Sequence, residues 1–311
     1  MMEWTILGAG ALGCVIAGQL HQKGEQVGFM LSERHRGHFH PKLDLITLSG
    51  SHQLINSQPR FPEHSRKVEC LLVFTKAYNV LDALKELRHL PKSTPVILFN
   101  NGMGLTEQVK ALLPDNPLLA GVCNHGAMKE QDWLVRHTGK GETWLGPLNE
   151  AGKAWAHLVK PLAAALGHTE WGDDIALHQR RKLAVNAVMN PLTACNNISN
   201  GQLLEPRFSE VLEQLTDEVY QVIARLDGND AETKEAYRRR LHQVIEQTAT
   251  NSSSMQQDLA CGRKTEIDYI SGYMLTHADG LPVPVSQQLY DEIKKREENM
   301  QRPAPGAKRQ A

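Results

Sequence analysis

The sequence Gly8-Ala9-Gly10-Ala11-Leu12-Gly13 follows a short apolar run, Glu3 to Leu7, and precedes a helical pattern. This order of strand, glycine turn and helix is the dinucleotide-binding fingerprint. Gly8 permits a tight turn, Gly10 lets the backbone approach a pyrophosphate, and Gly13 lets the helix pack closely on the strand. The helix N-terminus would face the phosphates. The stretch therefore predicts a Rossmann-like domain that binds a dinucleotide.

The end of the second predicted strand, Gln26 to Leu31, bears on which dinucleotide is bound. An acidic residue there accepts from a ribose 2′-hydroxyl, whereas an arginine binds a 2′-phosphate. The chain offers Glu33 for the first role and Arg34 with Arg36 for the second. The residues alone leave both open, and we favour NADP.

A hairpin is predicted around Ser49-Gly50. Further apolar runs predict the other strands of a parallel sheet: Glu69 to Thr75, Pro95 to Phe99, and Leu118 to Cys123. Ligands of open parallel sheets bind outside the carboxyl ends of the strands. We therefore expect Lys76, Asn101 and Ala127 at the same edge as the glycine loop. Ordinary turn chemistry is the alternative for Asn101, because Asn-Gly is a common turn dipeptide.

A last strand is predicted from Glu142 to Pro147, and helices follow it. Their predicted limits are Ala151 to Leu166, Ala176 to Cys195, Ser209 to Leu226, Ala231 to Leu259, Thr265 to Ala278, and Val285 to Met300. The fold class is thus an α/β Rossmann-like domain at residues 1–170, followed by an all-α domain at 171–300. Residues 301–311 are rich in Pro, Gly and basic residues and predict a disordered tail.

The helix around Arg181 to Ala194 carries Lys182, Asn186 and Asn190 four residues apart, on one stripe of an otherwise apolar rod. One lysine followed by two amides suits a polar cavity better than a solvated face. The alternative is a core helix whose amides are satisfied internally.

A second polar cluster runs from Asn251 to Glu266. Asn251, Ser254 and Asp258 are predicted on one helical face, with a solvated surface helix as the alternative. Glu266 follows Thr265, a good N-cap, so that it could be either a functional carboxylate or a capping one.

Composition excludes several classes of protein. Charged residues make up 22% and the net charge is -1, so neither nucleic acid nor anionic lipid is an expected partner. No apolar run reaches membrane-spanning length. The cysteines lack CxxC spacing, which suits a reduced, cytoplasmic protein. We expect no metal, because His35, His38 and His40 lack accompanying ligands and predict a solvated loop.

Several of these motifs together resemble the ketopantoate reductase (2-dehydropantoate 2-reductase) family, in the family's order and over nearly the whole chain. They are Gly8 to Gly13, Lys76-Ala77, Asn101 to Gly104, Lys182 to Asn186, Asn190 to Ala194, Asn200-Gly201, Ser253 to Asp258 and Thr265 to Asp268. In that family NADPH reduces the ketone of 2-dehydropantoate to pantoate, on the route to pantothenate and coenzyme A.

The resemblance implies roles for individual residues. Gly8 to Gly13 would hold the pyrophosphate, and Lys76, Asn101 and Ala127 would line the cofactor path. Lys182 would be the general acid, and Glu266 would lie beside it and the substrate. The implied substrate-binding residues are Asn101, Asn186, Asn190, Asn200, Ser254 and Glu266.

The chain departs from the family at Ser32, where members often carry an arginine for the 2′-phosphate. Arg34 or Arg36 would replace it, with Ser32 as a minor hydrogen-bond donor. Strand alternation would turn Glu33 away from the phosphate.

Two rival functions stay open: a reductase of another branched 2-keto acid, and a non-catalytic NADP(H)-binding sensor. A sensor would not need Lys182 with Glu266. The protein is expected to be a monomer or a homodimer.

Overall fold

The computed structural model describes residues 2–37, 40, 42–56 and 58–301. The chain forms two units, one of residues 1–100 and 105–178, the other of residues 101–104 and 179–311. The sequence pattern does not reveal that residues 101–104 belong with the second unit. The domain limits at residues 170 and 300 remain predictions, and the predicted tail lies, except for its first residue, outside the described residues.

The first unit alternates strands and helices, as expected for an α/β domain. Its elements are β1 (Glu3–Leu7), α1 (Ala11–Gln22), β2 (Gln26–Met30), β3 (Lys42–Ile46), β4 (His52–Asn56), β5 (Gln58–Arg60), β6 (Cys70–Val73), α2 (Ala77–Glu86), β7 (Val96–Leu98), α3 (Thr106–Leu112), β8 (Leu118–Cys123), β9 (Gly126–Gln131), β10 (Leu134–Gly139), β11 (Thr143–Pro147), α4 (Val159–Leu166) and β12 (Thr169–Trp171). Strands β1, β2, β6, β7, β8 and β11 agree with the predicted ones.

The larger sheet has eight strands in the order β12-β11-β8-β7-β6-β1-β2-β5. Strand β1 pairs in parallel with β2 on one side and with β6 on the other. The order of strands therefore reverses between β1 and β6, which is the topological switch point at which doubly wound sheets bind nucleotides. Strand β11 is antiparallel to β8, and β12 is parallel to β11.

A second sheet of four strands, in the order β4-β3-β10-β9, was not predicted. The hairpin of β3 and β4 around Ser49-Gly50 was expected, but β9 and β10 were missed, as were the short strands β5 and β12. Helix α1 packs on this sheet as well as on β1 and β2. A Cβ atom on Gly18 would lie 2.5 Å from Cδ2 of Leu45 in β3, so a larger residue there would require the Leu45 side chain to shift.

The core of the first unit is apolar on both faces of the central strands. Trp4 and Ile6 of β1, Ile16 of α1 and Leu72 of β6 are fully buried and belong to one cluster with Leu45 of β3. This burial explains why the parallel strands read as continuous apolar runs.

The second unit is helical in its described part. Its helices are α5 (Ile175–Asn196, which starts in the last residues of the first unit), α6 (Ser209–Asp227), α7 (Lys234–Gln247), α8 (Ser254–Ala260), α9 (Ser271–Thr276) and α10 (Pro284–Gln301). A separate apolar core joins α5, α6, α7 and α10 through residues such as Val188, Val219, Leu241 and Ile293. An α/β domain followed by a helical one is the fold class predicted from the sequence.

The predicted helix from Ala231 to Leu259 is wrong, because the chain breaks between α7 and α8. Ser253 caps the new helix by accepting a hydrogen bond from Gln256 N at 3.2 Å. Asn251 lies in the connection, where its N–H donates to Thr248 O. Asn251 therefore does not share a helical face with Ser254 and Asp258.

Two other predicted helices are only partly α-helical. The stretch before α4, Glu150–Leu158, is a 3-10 helix with a kink at Trp155. The segment from Thr265 to Ala278 forms a short 3-10 turn, Ile267–Tyr269, and then α9, with a non-helical Ile270 between them. Glu266 thus precedes the turn as its N-cap rather than lying in the first turn of a helix.

Candidate active site

The glycine loop after β1 has the geometry of a phosphate cradle. Gly8 has a φ of +103°, and a Cβ atom there would lie 2.9 Å from Thr75 N. A Cβ atom on Gly13 would lie 2.7 Å from Gly8 O, whereas at Gly10 the nearest atom, Phe74 O, is 3.9 Å away. The loop is therefore tightly packed at Gly8 and Gly13 and open at Gly10, where the fingerprint places the pyrophosphate.

Helix α1 leaves its N-terminal backbone groups accessible. Gly10 is its N-cap and supplies no side-chain hydrogen bond, and the first turn contains no acidic residue. The first N–H groups of a helix carry a partial positive charge and bind anions. The loop residues Ala9, Ala11 and Leu12, with the three glycines, thus fit the phosphates of a dinucleotide.

Lys76 follows β6 at the switch point and is the N-cap of α2. The preceding residue, Thr75, packs against Gly8. Lys76 therefore directly follows a residue that contacts the glycine loop. Ala127 lies in β9, paired with His137 of β10 and half-buried. The roles of Lys76 and Ala127 in binding the cofactor remain predictions, as does an edge shared with Asn101, which belongs to the second unit.

The segment after β2 differs from the expectation of an extended strand. Strand β2 ends at Met30, and residues Glu33–His35 form a 3-10 turn with Ser32 as N-cap. The alternation argument for Glu33 is therefore wrong. Its carboxylate accepts hydrogen bonds from Arg36 Nε at 2.8 Å and Nη2 at 2.6 Å.

Arg36 is also held by a second carboxylate and by a ring. Its Nη2 lies 2.7 Å from Oε1 of Glu63, and its guanidinium carbon lies 3.9 Å from the centre of the Phe61 ring. The hydrogen bonds to Glu33 and then to Glu63 raise the pKa of Arg36. The side chain of Arg34 lies outside the described part of the structure.

Helix α5 carries the predicted polar stripe. Lys182 and Asn186 are half-buried, and Asn190 is 7% exposed. Among the described residues, the side-chain amides of Asn186 and Asn190 have no hydrogen-bond partner. These two amides are therefore not satisfied within the described part of the chain, and the role of the stripe in binding a ligand remains a prediction.

Asn200 is buried beside the connection between α7 and α8. Its Nδ2 donates to Thr248 Oγ1 at 2.9 Å, and that hydroxyl donates in turn to Val244 O. The buried Oδ1 of Asn200 has no partner among the described residues. The remaining capacity of the amide is therefore the acceptor Oδ1 together with the second hydrogen of Nδ2, which suits a ligand hydroxyl group.

The polar residues around α8 divide into structural and accessible ones. The buried Ser253 hydroxyl accepts from Thr193 Oγ1 at 2.7 Å and caps the helix, and Asp258 accepts from Arg263 Nε at 3.1 Å. Ser254, by contrast, is exposed at the first position of α8. Of this group, Ser254 stays the predicted substrate-binding residue.

Glu266 is a buried carboxylate, 4% exposed, within the second unit. Its Oε2 accepts a hydrogen bond from Asn101 Nδ2 at 3.4 Å. Beside this bond, Met103 N donates to Tyr269 O at 2.9 Å. Two predicted substrate-binding residues, Asn101 and Glu266, are thus brought together by the same segment.

A buried histidine pair in the first unit was not predicted. Nδ1 of His125 lies 3.0 Å from Nε2 of His137, and both residues are buried, at 8% and 5% exposed. Burial, with a smaller effect from His137 and Lys140, lowers the pKa of His125 to about 4. Burial also lowers the pKa of His137.

A family profile described as "Ketopantoate reductase PanE/ApbA" matches residues 4–150, and its C-terminal counterpart matches residues 174–297. The chain belongs to the ketopantoate reductase family. It is thereby a member of a family of dinucleotide-binding oxidoreductases, in agreement with the resemblance drawn from its motifs.

Individual ketopantoate reductases are similar over their full length. The 2-dehydropantoate 2-reductase of Yersinia pestis is 36% identical over 310 residues, which cover 98% of either chain. A crystal structure of a PanE/ApbA family ketopantoate reductase from Ralstonia eutropha JMP134 has a TM-score of 0.85 and is 26% identical, covering 97% of this chain and all of that one.

The fold is shared beyond ketopantoate reductases. The structure of D-mandelate dehydrogenase with NADH and anilino(oxo)acetate has a TM-score of 0.88 at 23% identity, covering 96% of this chain and 99% of that one. Within the described ranges, no helix is long and apolar enough to span a membrane. The described residues also contain no cluster of three metal-binding side chains, and His38 lies outside them.

Proposed function

We propose that this protein reduces the ketone of 2-dehydropantoate to the hydroxyl of pantoate with NADPH, as a step toward pantothenate and coenzyme A. The observation that carries the choice of substrate is the full-length similarity to a 2-dehydropantoate 2-reductase. The geometry of the described residues supports this choice, because each unit offers one of the two sets of groups that the reaction needs.

In this proposal the first unit binds the dinucleotide. The open backbone at Gly10 and the uncapped start of α1 hold the pyrophosphate, and Lys76 and Ala127 line the cofactor path. When bound, the reduced nicotinamide supplies a hydride to the carbonyl carbon. The glycines at positions 8 and 13 keep the loop close to β6 and thereby preserve its shape.

The second unit binds and protonates the keto acid. Hydride addition turns the carbonyl oxygen into an alkoxide, which needs both charge stabilisation and a proton. Lys182 meets both needs, because its ammonium group donates the proton and is reprotonated from solvent. A non-catalytic sensor would have no use for this acid.

The other substrate contacts are amides, one hydroxyl and one carboxylate. Asn186 and Asn190 carry unused amide groups on the stripe of Lys182, and Ser254 is accessible. Glu266, held by Asn101, lies beside the substrate, and the acceptor Oδ1 of Asn200 accepts a hydrogen bond from the hydroxyl group of the keto acid.

The choice of NADPH over NADH is the part of the proposal that depends on single side chains. A 2′-phosphate carries nearly two negative charges, and an arginine binds it through charge-assisted hydrogen bonds. Arg36 carries such a charge but shares it with Glu33 and Glu63. We assign the preference to Arg34 or Arg36, with Ser32 as a further donor.

The test is NADPH oxidation, followed by absorbance, with 2-dehydropantoate and with a panel of branched 2-keto acids. We expect the highest kcat/KM for 2-dehydropantoate. A higher kcat/KM for another acid would show that the protein is a reductase of that branched 2-keto acid. Cofactor binding without turnover of any acid would support the alternative of a non-catalytic NADP(H)-binding sensor. We also propose that the protein is cytoplasmic and is either a monomer or a homodimer. Light scattering of the purified protein would distinguish the monomer from the homodimer.

A further inference from the structure

The turn that carries Glu266 is held by a buried glutamate from the last helix. Glu297 of α10 is 4% exposed. Its Oε1 accepts two hydrogen bonds from Thr265, one from the backbone N at 2.6 Å and one from Oγ1 at 2.7 Å. The Thr265 hydroxyl in turn accepts from Ile267 N at 3.2 Å. The residues on both sides of Glu266 are therefore tied to one carboxylate.

The same face of α10 holds the turn at a second point. Tyr290 and Lys294 precede Glu297 on this face. Both reach the Asp268 carboxylate, the tyrosine hydroxyl at 2.8 Å and the lysine Nζ at 3.0 Å. Nζ of Lys294 also lies 3.4 Å from Oε2 of Glu297. Lys294 thus links the two carboxylates, and the helix contacts the turn on either side of Ile267.

From this arrangement we propose that Glu297 is a positioning residue for the reaction, acting through Glu266. The inference rests on the proposed function, in which Glu266 contacts the substrate. A hydrogen bond from Asn101 holds Glu266 at its carboxylate, whereas Glu297 fixes the backbone from which that side chain extends. A site must hold its groups to within a fraction of an ångström, so loss of this support should weaken binding of the keto acid.

The test compares two buried glutamates of the second unit. Glu297→Ala removes both bonds to Thr265. The matched control is Glu218→Ala, because Glu218 is also buried and accepts from backbone N–H groups and a hydroxyl, those of Val285 and Ser286 at the start of α10. Both variants should lose stability. Only Glu297→Ala should raise KM for 2-dehydropantoate, by about tenfold or more, with the dissociation constant of NADPH unchanged.

Two further variants separate positioning from folding. Glu297→Gln keeps an acceptor oxygen for Thr265, so its KM should lie within about threefold of the wild-type value. A small rise should remain because neutral hydrogen bonds are weaker than those to a charged group. Thr265→Val removes only the hydroxyl, so it should raise KM in the same direction even if Glu297→Ala does not fold.

A double-mutant cycle supplies the decisive comparison. Glu297→Ala introduced into Glu266→Ala should raise KM little further, because a residue acting through Glu266 has nothing left to position. Full additivity, an equal rise of KM in Glu218→Ala, or an unchanged KM in Glu297→Ala and Thr265→Val would overturn the inference alone. A wild type inactive with every 2-keto acid would overturn it together with the proposed function.

Discussion

Asn101 Nδ2 donates a hydrogen bond to Oε2 of Glu266 across 3.4 Å, and the two residues are 165 positions apart in the sequence. The bond depends on the segment 101–104, which packs against Tyr269 within the second unit. The geometry of this segment therefore places one hydrogen-bond donor beside the buried carboxylate of Glu266.

Gly102 is the residue of this segment at which a side chain would clash with the backbone of Tyr269. Its φ is +79°, and a Cβ atom would lie 2.6 Å from Cβ of Tyr269 and nearer still to the Tyr269 carbonyl. We expect Gly102→Ala to lower the stability of the protein and to raise KM for the keto acid, because the segment must move away. Thermal unfolding and steady-state kinetics measure the two effects.

The control is Gly280→Ala, at a φ of +82° with no atom within 4 Å of the added Cβ. It should lose about 1–2 kcal/mol from the left-handed backbone alone and leave KM unchanged. Equal effects of the two substitutions on KM would contradict the role assigned to the Gly102 contact.

For the general acid, Lys182→Ala should lower kcat by roughly two to four orders of magnitude, the range of positioned acid catalysis. Lys182→Arg keeps the positive charge but holds its proton too tightly to donate it, so it should stay nearly as slow. The dissociation constant of NADPH, measured by fluorescence, should be little changed in both. Near wild-type turnover by Lys182→Ala would remove this residue from the acid role.

The glycine loop offers a contrast between two of its own positions. Gly10→Ala should leave thermal stability unchanged, because its backbone is extended and a Cβ atom meets nothing closer than 3.9 Å. It should nevertheless weaken NADPH binding about tenfold, or about 1.4 kcal/mol, since the methyl group enters the space proposed for the pyrophosphate.

Gly13→Ala should behave differently, with a loss of stability of about 1–3 kcal/mol from overpacking against Gly8 O. The two measurements are thermal unfolding without cofactor and NADPH titration by fluorescence. Unchanged affinity in Gly10→Ala would show that the pyrophosphate does not approach the backbone there.

Cofactor preference should depend on the arginines after β2 and on their acidic neighbours. The wild type should have a higher kcat/KM with NADPH than with NADH. Removing the responsible side chain, in Arg34→Ala or Arg36→Ala, should reduce that ratio roughly tenfold or more, since hydrogen bonds to charged groups contribute roughly 1.5–3 kcal/mol.

Glu63→Gln should increase the preference if Arg36 is responsible, because one carboxylate no longer competes for its guanidinium. Asp82→Asn, which changes the exposed pair with Lys85, is the matched control and should have no effect. Equal use of both cofactors by the wild type would instead favour the alternative in which Glu33 accepts a hydrogen bond from the ribose 2′-hydroxyl.

The histidine pair should make stability depend on pH. Burial lowers the pKa of His125 to about 4, below the ordinary value of 6.5 that it regains on unfolding. The folded state thus binds fewer protons, so its stability is fully present above about pH 6.5 and is lost as the pH falls toward 4.

The measurement is the Tm between these pH values in wild type and in His125→Gln, which no longer titrates at this position. We expect a shallower decline of Tm in the variant, whereas the exposed His89→Gln should follow the wild type. A decline identical in all three proteins would exclude the pair as its source.

A feature could be predicted from the sequence when the residues that determine it lie within one helix, strand or turn. The order of β1, glycine turn and α1, and the stripe of Lys182, Asn186 and Asn190 on α5, are confirmed. Both follow from spacings within one element, which backbone geometry imposes wherever the chain folds. The second sheet was missed because β9 is largely exposed and so lacks the apolar run of a core strand.

Local pattern failed where a side chain outside the segment decided the backbone. The break between α7 and α8 depends on Ser253, whose buried hydroxyl is fixed by Thr193 of another helix. Glu33 was predicted at a strand end, but it lies in a 3-10 turn. Arg36, at the end of that turn, pairs with Glu33 and also with Glu63 from outside the segment. A periodicity within one segment contains no information on such partners.

The sequence by itself determined the dinucleotide-binding fold, the helical second half and the family, because fingerprint spacing and apolar periodicity are properties of short segments. Only the tertiary structure decided that Asn101 donates to Glu266 and that Glu297, one acid among several in α10, is buried against Thr265. These contacts join residues far apart in the chain. They arise when packing removes particular polar groups from water and leaves each buried donor or acceptor to be satisfied by whichever partner lies beside it.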